Sequence, residues 1–307
     1  MIARPLMALL VASAISCARQ GAGGAEPDRA PRAPERGSIE DEIRRARERF
    51  LAEEGAGGLS AEAFSDADEA SVGEATARAI FARFRAFPAD SRASLYVRKV
   101  GALLAARSSR PGVPYRFAVL VADEVNAFAA PYGYVFVTAG ALRFAKDEAE
   151  LAFLLAHEIA HVERRHGLAQ ICRARLDLEK RAARERADAL AEPLEAEAKA
   201  RLEELEKRMD ELSDLVVRGY GLEDEGEADL IALDLVSRTG YDPQAALRLL
   251  ERIAEVGGKE ELPIPKLFRS HPRPEERLAA ARRALAGLPR TGAVPVRRYE
   301  EAVAEIR

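Results

Sequence analysis

Tryptophan is absent from this 307-residue chain, histidine occurs only four times and cysteine twice. Two cysteines, Cys17 and Cys172, cannot build a disulfide framework, so stability has to come from a core of ordinary size. A net charge of −4 excludes a broad basic surface, and with it a nucleic-acid partner. No apolar run reaches the length needed to span a bilayer. Aromatics are scarce, at 6%, while Ala, Arg, Glu and Leu dominate, a composition that favours helices. The length suits one large domain or two small ones.

Residues 1–17 read as an export signal. Arg4 supplies the positive end, residues 6–15 a short apolar core, and residues 13–16 the small side chains that a signal peptidase accepts. Ala14-Ile15-Ser16-Cys17 resembles a bacterial lipobox with Cys17 as the lipidated residue. Ordinary cleavage after Ala14, giving a soluble exported protein, is the alternative. Membrane contact is thus expected through a lipid anchor on Cys17, and location in the bacterial cell envelope, at the outer membrane in preference to the inner. Cys172 then stands alone as a small buried apolar residue.

Residues 18–38, rich in Gly, Pro, Ala and Arg, read as a disordered tether. An N-terminal helical region follows over 39–110. It comprises a polar helix capped by Ser38, a helical stretch carrying Phe64, Val72, Ile80, Phe81 and Phe84, and another carrying Leu95, Val97, Val100, Leu103 and Leu104. Over 111–288 the pattern becomes mixed. Residues 115–121 and 134–138 are the good strand runs, β-branched or aromatic and bounded by turn residues. Together they suggest a small sheet that leaves an edge strand where an extended peptide could add itself. Residues 168–217 alternate charges around a sparse apolar stripe, the mark of a long helical insertion, bent near Pro193. A helix spans 222–239, Gly240-Tyr241-Asp242-Pro243 ends it, and Asp242 caps the next. The tail over 289–307 reads as loosely attached, with an edge strand at 294–296. The fold class expected is α+β, predominantly α.

Residues 147–167 form the centre of the pattern: an amphipathic helix carrying His157, Glu158 and His161 as H-E-x-x-H. Two histidines four apart lie on one helix face, so both imidazoles can reach one ion, while Glu158 can reach a water beside it. Three of the four histidines fall between 157 and 166. Catalytic zinc takes three protein ligands and keeps one open position. An acidic residue on another helix is the natural third ligand. Glu225 and Asp229 share a face, so Glu225 can ligate while Asp229 accepts a hydrogen bond from a ligand histidine. On spacing alone, Glu223 and Glu227 compete with Glu225.

The run from Asn126 to Gly167, together with Glu225-Gly226-Glu227-Ala228-Asp229, Gly240-Tyr241-Asp242-Pro243 and Ser270-His271-Pro272 with Arg277, resembles a large gluzincin family of zinc metallopeptidases. It is family forty-eight of the metallopeptidases, which includes bacterial quality-control proteases, a mitochondrial stress protease and the CAAX prenyl-protein protease. The resemblance spans roughly residues 90–286 and implies one Zn2+ per chain on His157, His161 and Glu225. Glu158 would be the general base and Asp229 the partner behind a histidine. His271 would stand near the metal, polarising the oxyanion or closing the open position. Asn126, Tyr134 and Arg277 would contact substrate, with the strand around Tyr134 as the substrate edge. His166 matches a family histidine too, yet five residues past His161 it points off the ligand face of a continuous helix. The implied activity is endopeptidase cleavage of unfolded or misassembled envelope proteins. A chaperone-like or scaffolding lipoprotein with a latent metal site is the alternative, and a purely structural zinc site a third reading.

Overall fold

The structure, a computed structural model, describes residues 64–172, 222–257, 274–286, 292 and 294–306. The export signal, the tether, the polar helix near 38–54, residues 173–217 of the charged stretch and the Ser270-His271-Pro272 motif lie outside the described residues. The elements run α1 (Asp66–Arg83), α2 (Arg92–Ala105), β1 (Arg116–Leu120), β2 (Ala127–Ala130), β3 (Tyr134–Thr138), α3 (Ala139–Phe144), α4 (Glu148–Glu163), α5 (Leu222–Thr239), α6 (Gln244–Gly257), α7 (Pro274–Leu285) and α8 (Val296–Val303). This is the predominantly helical architecture with a small sheet that the composition implies.

The sheet has the order β1-β3-β2, parallel between β1 and β3 and antiparallel between β2 and β3. Strand β2 was not legible: Ala-Phe-Ala-Ala contains no β-branched residue. Pairing with β3 and burial of all four residues impose the extended form on it. The two-residue alternation divides the faces. Ala127, Ala129, Val135 and Val137 join the main core with α2 and α4, whereas Phe128, Ala130 and Phe136 meet Ala77 and Ile80 of α1.

Helix α4 departs from the amphipathic expectation, because every residue from Glu148 to Val162 is buried. Phe153, Leu154, Leu155 and Ile159 spread apolar surface around the whole cylinder, which makes it a central core helix and not a surface one. Asp147 caps its start, accepting from the Glu150 N–H at 2.9 Å. Ala160 and Ala228 pack together with Ile231, and these small side chains let α4 and α5 approach closely. α4 stops at Glu163, short of the expected end at Gly167. Arg165 turns left-handed (φ 54) and a new helical stretch begins at 166.

Helix α5 ends at Gly240, whose φ of +91° is accessible to a residue without Cβ. The Tyr241 N–H donates back to the Val236 carbonyl (3.0 Å) and Gly240 N–H to that of Ser237 (3.0 Å), which closes a Schellman turn. The C-terminal segment is no loose tail. Residues 294–296 form no strand; Val296 opens α8, which buries Tyr299, Ala302, Val303 and the following Ile306 against the core. The Tyr299 hydroxyl donates to the Leu142 carbonyl, and Glu305 accepts from the Ala93 N–H at 2.7 Å. The docking face repeats every three or four residues inside a short, charged sequence, which hid it from a reading by composition.

Candidate metal centre

Helix geometry makes the first part of the site. With 3.6 residues per turn, His157 and His161 project from one side of α4, and their Nε2 atoms lie 3.0 Å apart. α5 supplies the second part. Its close packing on α4 brings Glu225 between the rings, Oε2 3.3 Å from His157 Nε2 and Oε1 3.5 Å from His161 Nε2. All three side chains are buried, and their candidate ligand atoms lie within 4.8 Å of one another. Glu227 does not take the third place. Glu227 turns instead to Arg164, at 2.9 Å, and His166.

The donor set fits a divalent ion. Ligands held about 2.1 Å from a tetrahedral zinc stand about 3.4 Å from each other, close to the separations observed. His157 Nδ1 stands 3.0 Å from Asp229 Oδ1. Donation of the Nδ1 proton there leaves a lone pair on Nε2, facing another imidazole and a carboxylate. Two imidazole nitrogens and a carboxylate converging in this way form a set that a divalent cation satisfies. The formal charges point the same way: the buried carboxylates of Glu158, Glu225 and Asp229 all interact with the Arg277 guanidinium, three negative groups against its one charge.

Asp229 is held in turn. Arg277 forks onto it, Nε to Oδ2 and Nη2 to Oδ1, both at 2.7 Å, while Arg277 Nη1 stands 3.3 Å from Glu225 Oε2. Burial raises the Asp229 pKa, but the Arg277 charge and hydrogen bonds and the His157 contact outweigh it and bring it to about 2. Burial also pulls the His157 pKa down; the charge of Glu225 and the contacts with Asp229 and Glu225 raise it further than that, to about 9. The pocket thus draws positive charge onto this ring. For Arg277, burial lowers the pKa while Asp229, Glu225 and Glu158 raise it more, so the guanidinium stays charged.

Four of the expected site residues, His157, His161, Glu225 and Asp229, come together, and Glu158 lies fully buried on the same helix. Arg277, expected at the substrate, instead directs its guanidinium at Asp229 and Glu225. Asn126 is buried at the entrance to β2, with its backbone N–H donating to Thr138 Oγ1 at 3.0 Å. Tyr134 departs from its expected place. It sits on the central strand, paired with Arg116 of β1 and Ala130 of β2, and its side chain packs on the α1 side of the sheet, away from α4. The reason is the unforeseen β2, which takes the edge beside β3. His271 lies outside the described residues.

His166 is the residue that spacing misjudged. Because α4 breaks at Arg164 and Arg165, His166 returns toward the site and sets its Nδ1 2.9 Å from His161 Nδ1. Its Nε2 faces Glu227 Oε2 at 3.2 Å and Asp224 Oδ1 at 3.6 Å. Both imidazoles of the triad are therefore backed at Nδ1, one by a carboxylate and the other by a third imidazole. No sequence pattern announces a left-handed arginine, so only the presence of the histidine itself hinted at this.

The chain is similar to several known proteases. A beta-barrel assembly-enhancing protease of Escherichia coli O157:H7 is 31% identical over 195 residues, 63% of this chain and 39% of its own length. The mitochondrial metalloendopeptidase OMA1 of Schizosaccharomyces pombe is 31% identical over 175 residues, 57% of this chain and 48% of that protein. Metalloprotease YcaL of Escherichia coli K12 is 25% identical over 190 residues, 61% of this chain and 69% of its own. The chain thus spans about two fifths of the length of the assembly-enhancing proteases it matches. The sequence model of Peptidase family M48 matches residues 91–285, which hold both histidines, Glu158, Glu225, Asp229 and Arg277, and this chain belongs to that metallopeptidase family.

Proposed function

We propose that the chain is a zinc-dependent endopeptidase that hydrolyses peptide bonds in misfolded or misassembled proteins of the bacterial envelope. The observation that carries this reading is the buried His157–His161–Glu225 triad with Glu158 on the same helix. His157, His161 and Glu225 would hold the zinc ion, which would supply Lewis-acid polarisation of a carbonyl and a lowered water pKa. Glu158 takes the proton of the attacking water and delivers it to the leaving amine. Asp229 keeps the His157 tautomer, with Arg277 locking the carboxylate in place. His271 stabilises the developing oxyanion or closes the open position at rest, and Asn126 lies toward the substrate.

The envelope setting rests on the export signal together with the relatives whose name describes assistance to β-barrel assembly. The same class of clientele, misassembled envelope proteins, is proposed here. Among the described residues no helix is long and apolar enough to cross a membrane; attachment through a lipid on Cys17 rests on the lipobox-like Ala14-Ile15-Ser16-Cys17 alone. Zinc stoichiometry and casein cleavage, measured together on wild type and Glu158→Gln, test the proposal. Glu158→Gln should keep one zinc per chain and lose turnover by at least about a hundredfold. Casein cleavage by Glu158→Gln at the wild-type rate would remove the general base from this account.

A further inference from the structure

Among the described residues, two that are not glycine adopt left-handed backbone, Tyr132 (φ 60) and Arg165 (φ 54). Such residues carry strain and persist where their surroundings hold them. One carboxylate touches both. Glu69, fully buried on α1, accepts from the Tyr132 N–H at 3.1 Å through Oε1, and its Oε2 stands 2.9 Å from Arg165 Nε. Arg110 grips the same carboxylate with two N–H groups (3.1 and 2.9 Å) and donates to the Val162 carbonyl at 3.1 Å, in the last turn of α4. Arg165 also donates to the Phe64 carbonyl at 2.9 Å. α1 comes this close because residue 73 is glycine: a Cβ there would stand 2.1 Å from the Pro131 oxygen.

Arg165 immediately precedes His166. Were its backbone right-handed, α4 would run on and carry His166 about 140° around the helix from His161. The left-handed turn returns His166 to its place behind the ligand. We propose that Glu69 is a positioning residue for the metal centre, holding Arg165 left-handed so that His166 supports His161. The inference rests on the metal-site reading above. Glu69 lies outside residues 91–285, the stretch that the family model matches.

Zinc affinity by chelator competition and the visible spectrum of the cobalt-substituted protein, both on the full chain well below its melting temperature, test this. Glu69→Gln should weaken zinc binding by about tenfold or more and shift the cobalt bands, as loss of an outer support does. Arg298→Ala, which loosens the opposite end of α4, should lower the melting temperature and leave zinc affinity unchanged. Should Glu69→Gln fail to fold, a pair at 165 decides. Arg165→Ala loses the tether but keeps the strain and should weaken zinc binding, whereas Arg165→Gly accepts the left-handed backbone and should restore part of it. Wild-type affinity in Glu69→Gln, zinc loss in Arg298→Ala that parallels its lost stability, or glycine no better than alanine at 165 would overturn the inference. Wild type that binds no zinc would overturn the metal site along with it.

Discussion

The two histidines proposed as metal ligands leave the same helix face, yet the structure supports them by different chemistry. Behind His157 stands a carboxylate, Asp229, clamped by two hydrogen bonds from Arg277. Behind His161 stands another imidazole, His166, which faces Glu227. A carboxylate favours donation by His157 through its charge and so dictates the tautomer. An imidazole can donate or accept, so it fixes ring orientation while leaving the proton to its own neighbour, Glu227. The first arrangement is electrostatic and the second geometric, and the consequences of breaking each should differ in size.

Removing a ligand sets the upper limit for that comparison. Glu225→Ala should abolish stoichiometric zinc binding in metal analysis of the dialysed protein, since two imidazoles alone are too few for a tetrahedral site. Breaking the electrostatic support comes next. Asp229→Asn removes the charge that opposes a buried guanidinium, which should cost about 3 kcal/mol in denaturant unfolding. Zinc affinity should fall with it by about tenfold to a hundredfold. If Asp229→Asn instead matched wild type in both measurements, the Arg277 clamp would have no part in the site. The geometric support should matter less. His166→Phe is expected to weaken zinc binding by about tenfold, the lower end of such effects. His166→Asn, whose amide can stand near the Nδ1 position, should lose less than His166→Phe.

The smallest effect concerns α4 as a whole. Burial raises the Glu148 pKa, but hydrogen bonds from Arg298, Tyr96 and Tyr241 lower it more, so the folded value lies below the unfolded one. The unfolded chain therefore binds the proton more tightly, and stability rises with pH in that window. The contribution should be complete above about pH 4.3, the ordinary glutamate value, and fade as pH falls through the folded value. Melting temperatures followed against pH should show Glu148→Gln less stable than wild type at neutral pH, with the gap closing in acid. A gap that stayed constant would exclude the carboxylate as its source.

Much of the centre was legible because helix periodicity is a local property. The four-residue step from His157 to His161, and that from Glu225 to Asp229, place side chains on one face whatever surrounds the helix. The turn residues Gly240 and Asp242 announced their caps in the same way. What could not be read were features that arise from packing: an alanine-rich strand made extended by its neighbour, a polar C-terminal segment that docks through Tyr299 and Ile306, and a helix break at Arg165.

The chain's residues and their order thus set which groups could bind a metal and how they pair along each helix, since backbone geometry alone fixes those relations. Tertiary contact chose among the acidic residues of α5, turned Tyr134 away from the site and returned His166 to it. These outcomes depend on close packing between α4 and α5, on the pairing of β2 with β3 and on one buried carboxylate far away in sequence, and none of these has a local signature.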